Sequence, residues 1–192
     1  MGKVWYKNIR FTSLDFIIIV MFAVVHFLIS FGIQALAVVM GPAGVIAIPM
    51  LIMNFWYLLC VVVVSKVKTF LYYGVILAIP FTLTPAIVPP HPLKIAVVAW
   101  IHITGFIILY SLRHDFKAAM LTLGAWLAVN MYLTNLVLFL ALAPPAAEMA
   151  IKGLPIFIPI GIVLGLIAGW LAILVKKPLE KSNLVKRIRG WG

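Results

Sequence analysis

The chain has 192 residues, 66% of them hydrophobic and 10% charged, with a mean hydropathy of +1.23. A soluble domain carries about 25% charged residues, so this composition excludes a water-soluble globule. It leaves a multi-pass membrane protein in one transmembrane domain, with no length for a separate soluble catalytic domain. The net charge of +11 does not point to nucleic acid, because the basic residues sit on short segments beside apolar runs. There they set topology and attract anionic membrane lipid, at about 1 kcal/mol per residue near the surface.

The chain opens with Lys3, Lys7 and Arg10, then an apolar run, then Ala35-Leu36-Ala37, an order shared with secretory signals. The apolar run over 16–33 is longer than the about 7–15 residues of a signal core, so it predicts an uncleaved first helix. No Asp, Glu, Lys or Arg occurs over 16–65. A span takes about 20 apolar residues, so this run predicts two helices, broken at Gly41-Pro42-Ala43-Gly44. Span one is expected at roughly 15–36, with Thr12, Ser13 and Asp15 as capping candidates. Span two is expected at roughly 44–65. It carries Cys60, the single cysteine, so no disulfide forms within the chain.

Span three is expected at roughly 69–88, its far half kinked or unwound by Pro80 and Pro85, and ended by Pro89-Pro90-His91-Pro92. Span four follows at roughly 94–112, then the short loop Arg113-His114-Asp115-Phe116-Lys117. Span five is expected at roughly 118–142, ended by Pro144 and Pro145, with a loop carrying Glu148 and Lys152. Span six is expected at roughly 154–175, with a basic cytoplasmic tail over 176–192. The fold class is therefore an all-α integral membrane protein, a six-transmembrane-helix bundle.

Six crossings put all fifteen Lys and Arg residues except Lys94 and Lys152 on one side. Short cytoplasmic loops retain Lys and Arg, so both termini are expected in the cytoplasm. This topology also gives the depth of each polar residue. His26 and Asn54 fall near the middle of their spans. Gln34, Trp100, His102, Asn130, Thr134 and Asn135 fall in the middle and outer half. Asparagine donates and accepts, and tryptophan offers a flat face to a heterocycle. These six are the candidate substrate-binding residues, with the first loop as a lid.

Gly161, Gly165 and Gly169 form a small-residue stripe on span six, the kind that lets another helix approach closely. Two readings stay open for it, packing within the bundle and contact with another subunit. The four acidic residues, Asp15, Asp115, Glu148 and Glu180, all fall at span ends or in loops, which removes the usual proton relay of a coupled transporter. There is no HxxxH pair, HExxH, GxSxG or P-loop. No metal, no cofactor and no catalytic residue is expected, and the chain is not expected to be an enzyme.

A small, basic, six-span chain without an energy source of its own resembles the substrate-binding S component of an energy-coupling factor (ECF) transporter. Three stretches carry the resemblance: Phe11-Thr12-Ser13-Leu14-Asp15; Val63-Val64-Ser65-Lys66-Val67-Lys68; and Gly165-Leu166-Ile167-Ala168-Gly169-Trp170 with Lys176-Lys177-Pro178-Leu179-Glu180-Lys181. The resemblance implies a prokaryotic cell-membrane protein that captures a vitamin-like organic nutrient from outside. It implies a transmembrane coupling subunit and two cytoplasmic ATPases as partners. It also implies a docking face on span one at Ala23, where this chain has Phe27 rather than a second alanine four residues on. Relatives that transport metals begin Met-His; this chain begins Met1-Gly2, so cobalt or nickel is not implied. The alternative is a non-transport membrane assembly subunit or an integral-membrane enzyme with an unrecognised site. A small autonomous transporter or channel is a third reading.

Overall fold

The computed structural model describes residues 10–84 and 88–182, excluding the side chains of residue 31 and residues 34–49. Helices α1 (Ser13–Val64), α2 (Thr69–Leu83), α3 (Leu93–Ser111), α4 (Phe116–Leu142) and α5 (Pro144–Lys181) make up the fold, with no strand among the described residues. Among the described residues four helical stretches are long and apolar enough to cross a membrane: Ser13–Ser30, Leu93–Ser111, Phe116–Leu142 and Pro144–Lys181. Met50–Val64 and Thr69–Leu83 are shorter apolar helices.

The two ends of α1 form separate arms. At 1.5 Å of rise per residue a straight helix would hold His26 and Tyr57 about 46 Å apart, yet their rings lie 4.6 Å apart. The arms Ser13–Ser30 and Met50–Val64 therefore run side by side and antiparallel. The indole N–H of Trp56 donates to the carbonyl of Phe22 at 2.9 Å. The expected break at Gly41-Pro42-Ala43-Gly44 does not interrupt the helix: the backbone stays helical through these positions, and the change of direction falls between the two arms within α1.

The first arm starts on a capping box. Thr12 accepts from the Asp15 N–H at 3.3 Å, and Asp15 accepts from the Thr12 N–H at 2.6 Å. The same Asp15 carboxylate pairs with Lys66, just beyond the second arm, and both side chains are buried. Lys66 also donates to the Arg10 carbonyl at 2.8 Å and lies over the Phe11 ring. Two of the three stretches quoted above thus meet at one end of the molecule.

Pro80 is carried inside α2, and that helix ends at Leu83 instead of near 88. Pro85 lies outside the described residues. Pro144 and Pro145 stop α4 and at once begin α5, which is helical through the segment expected as a loop. Proline suits the first helical turn, where its missing N–H has no partner to lose.

α4 and α5 pack antiparallel through glycine. A Cβ on Gly165 would overlap the Gly124 carbonyl, and one on Gly169 would lie 2.6 Å from the Met120 carbonyl oxygen. A Cβ on Gly161 would meet side chains instead, the Met50 sulfur at 3.3 Å and methyl at 3.5 Å and the Ala128 methyl at 3.6 Å. The stripe is therefore occupied within the chain, and Ala23 is likewise buried in the core. The outside is apolar: Ile17, Met21, Leu28, Val75, Ile79, Ile103, Val163 and Trp170 are all exposed. The buried set includes His26, Asn54, Thr69, His102, Asn130 and Thr134. An apolar exterior around buried polar groups suits a helical protein in lipid, where polar groups must be satisfied internally.

Candidate functional site

Helix α3 presents two polar faces. Successive residues turn by about 100°, so Trp100 and His102 point to different neighbours.

The Trp100 face meets α4. Its indole N–H donates to Asn130 Oδ1 at 3.1 Å. Thr104, one turn further on, collects the rest. Its hydroxyl donates to the Trp100 carbonyl at 2.7 Å and accepts from the Trp126 indole at 3.1 Å and from Asn130 Nδ2 at 3.4 Å. Asn130 is buried while Trp100 is half exposed on the outer surface. Thr134 turns its hydroxyl onto its own helix, at 2.7 Å from the Asn130 carbonyl. Asn135 is half-buried one position round. The side chain of Gln34 lies outside those described. Of the six candidate residues, the structure joins Trp100 to Asn130 and adds Thr104, which the sequence reading missed; its i+4 spacing from Trp100 is the signal that could have found it.

The His102 face meets α1 and α2. His102 packs on Phe70 at 4.9 Å, Tyr57 at 5.4 Å and Tyr73 at 6.3 Å between ring centroids. Tyr57 packs in turn on His26 at 4.6 Å and Tyr73 at 4.6 Å. The Tyr73 hydroxyl donates to the Phe22 carbonyl at 3.2 Å, spending its one proton. Its oxygen then accepts from His26 Nδ1, 3.0 Å away. Glycine makes this packing possible: a Cβ on Gly74 would overlap the His102 ring, and one on Gly105 the Phe70 ring.

This core is not fully satisfied. His102 Nδ1 lies 2.7 Å from the Val98 carbonyl. A carbonyl only accepts, so Nδ1 holds the proton and a neutral ring keeps a lone pair on Nε2. That Nε2 is buried without a hydrogen-bond partner. Asn54, one turn before Tyr57, is fully buried, and neither its Nδ2 nor its Oδ1 has a partner. Each such atom costs about 1–3 kcal/mol if left unfilled. His26 and Asn54 were visible as mid-span polar residues, but nothing in one sequence shows that their helix faces meet Tyr73 and His102.

Among the described residues no three His, Cys, Asp or Glu side chains converge as metal ligands. A shallow groove of about 410 Å³ runs along α4 and α5 between Leu121, Val163, Leu166, Ile167 and Trp170, an apolar surface suited to lipid. In comparisons with known proteins, no family model, no curated protein and no solved structure matches the chain.

Proposed function

We propose that the chain is the substrate-capture subunit of an ECF-type transporter. In this reading six helices cross the cell membrane of a prokaryote, with both termini in the cytoplasm. The subunit binds a small, uncharged, vitamin-like nutrient from outside. A transmembrane coupling subunit and two cytoplasmic ATPases then drive its release inside. The chain contributes binding and no catalysis.

The observation that carries this reading is the polar core among α1, α2 and α3. Uncharged hydrogen-bonding groups are buried inside an apolar bundle, and Asn54 and His102 each carry buried polar atoms without a hydrogen-bond partner. Intramembrane polar groups are expensive and mark solute sites by default. The meeting of Phe11–Asp15 with Val63–Lys68 through the Asp15–Lys66 pair adds support, since both stretches carry the family resemblance. The basic bias, all but Lys94 and Lys152 on one side of a six-span chain, supports the orientation.

The test is mass spectrometry of small molecules released from the purified protein, followed by uptake of the molecule found. Uptake should require co-expression of a coupling subunit and paired ATPases. Purified protein that carries no small molecule, together with no association with such partners, overturns the proposal.

A membrane assembly subunit is favoured by a different observation. The Trp100–Asn130–Thr104–Trp126 bonds and the glycine contacts are spent inside the bundle. That reading predicts stable association with another membrane protein and no bound solute.

A further inference from the structure

One outward stripe of α5 changes character along its length. Val163, Ile167, Trp170, Leu174, Lys177 and Lys181 recur every three or four residues, so they share one helix face, and all of them are exposed. The stripe is apolar as far as Leu174 and basic from Lys177 onward. At 1.5 Å of rise per residue, Val163 to Leu174 covers about 16 Å. Half of a bilayer's hydrocarbon core is about 15 Å. The apolar part thus matches the hydrocarbon depth of one leaflet, and Lys177 falls at the level of its headgroups.

Helix α4 continues the same surface. The groove beside it is lined by Leu121 on α4 and by Val163, Leu166, Ile167 and Trp170 on α5. A Cβ on Gly169 would lie 3.0 Å from the Leu121 Cα, so Leu121 borders α5. Lys117 is one turn from Leu121 on the same face of α4, and it is exposed. The facing of Gly124 with Gly165 and of Met120 with Gly169 sets Lys117 level with Ala172. That is about 7.5 Å short of Lys177 along the helix. Lysine stems lie along apolar surface and carry their ammonium groups to the polar boundary, so both reach one headgroup. The described ion pairs, Asp15–Lys66 and Lys176–Glu180, use none of Lys117, Lys177 and Lys181. Asp115 is engaged in capping α4, accepting from the Ala118 N–H at 3.0 Å.

We infer that the α4–α5 groove is a binding site for one anionic phospholipid. An acyl chain lies between Leu121 and the Val163–Trp170 face, and the phosphate is held by Lys117 and Lys177. A zwitterionic lipid fits the groove but sets its own cation against these lysines. A second copy, packed here about an axis normal to the membrane, would set Lys177 against its own counterpart, which like charges disfavour. The site faces the bilayer and is separate from the buried polar core, so it does not depend on the solute-capture reading.

The test is native mass spectrometry of the full chain released from detergent micelles, titrated with phosphatidylglycerol or with phosphatidylcholine of the same acyl chains. Phosphatidylglycerol should saturate at one tightly held molecule per chain and raise the melting temperature. Phosphatidylcholine should do neither at the same concentrations. Lys117→Gln and Lys177→Gln should each weaken retention about fivefold, the equivalent of about 1 kcal/mol per basic residue near the membrane surface. Ile167→Trp, which fills the groove, should also weaken it, and Lys177→Arg should preserve it. Lys152→Gln, near the other end of α5, should leave it unchanged. Each of these positions is exposed, so without lipid the variants should melt as wild type does. Equal retention of the two lipids overturns the inference, as does phosphatidylglycerol retention indifferent to Lys117→Gln, Lys177→Gln and Ile167→Trp. Displacement of the lipid by inorganic phosphate would reduce the site to an anion site and overturn it too. A dimer that Ile167→Trp dissolves, with no lipid retained, would assign the face to a second copy instead.

Discussion

Gly124 and Gly165 meet backbone to backbone, each leaving room for the other's carbonyl and none for a Cβ. The neighbour is main chain on both sides, so relief requires moving a whole helix. Gly165→Ala should destabilise the protein by about 1–3 kcal/mol or more, read as a lower melting temperature in detergent. Gly161→Ala, whose neighbour is the flexible end of Met50, should stay close to wild type. Equal melting temperatures for the two variants would show that the α4–α5 contact is looser than described.

The Asp15–Lys66 pair predicts asymmetric mutant behaviour. Asp15→Ala strands a buried ammonium and should cost about 3–5 kcal/mol. Asp15→Leu combined with Lys66→Met removes both charges and should recover most of that loss. Unfolding curves of the single and double variants give the comparison. A double variant as unstable as Asp15→Ala would place the stabilisation in the capping box instead.

Ser65 ends the second arm in the left-handed region, with φ of 53° and ψ of 41°. That conformation costs an L residue about 1–2 kcal/mol. Its hydroxyl offsets part of this by donating to the Val62 carbonyl at 2.9 Å. Ser65→Gly should be neutral or stabilising, and Ser65→Val should be clearly destabilising. The order of the three melting temperatures is the measurement.

How much of this was legible beforehand differs by element. The Thr12–Asp15 cap, the starts of α2 and α3 and the end of α4 follow from side-chain chemistry and charge-free runs, which are local. Pro144 and Pro145 were read as the stop of one helix followed by a loop. They are also good first residues of the next helix, and sequence alone does not choose between these roles. The candidate site was grouped by depth, and two of its members, Trp100 and Asn130, are hydrogen-bonded to each other. Depth could not separate His102 from Trp100, because two residues apart means the same depth and different faces. Tyr57 and Tyr73 meet His26 through packing of three helical segments, and no spacing within one segment encodes that.

Thr104 is the hub of the α3–α4 tie. Thr104→Val keeps the shape but strands the Trp126 indole and one Asn130 donor. The expected loss is about 1–3 kcal/mol per stranded group, read as a lower melting temperature in detergent. A melting temperature equal to wild type would show that the α3–α4 tie does not depend on this hydroxyl.

Orientation is open to direct labelling. The single native cysteine, Cys60, is fully buried, so background labelling should be low. His91 and His114 are both exposed, beyond opposite ends of α3. In intact cells an impermeant maleimide should reach His91→Cys and not His114→Cys if the basic end is cytoplasmic. The reverse pattern would invert the topology.

Lys94 is fully enclosed at the start of α3, its ammonium 2.7 Å from the Thr84 carbonyl and stacked near the Phe81 ring. The amine thus fastens the end of α2 to the start of α3 and is shielded from bulk reagents. Lys152, by contrast, is exposed. A short pulse of an amine-acylating reagent therefore reads two clocks in one molecule. Lys152 reports the dose delivered, and acylated Lys94 counts only those molecules in which the α2–α3 corner has come apart.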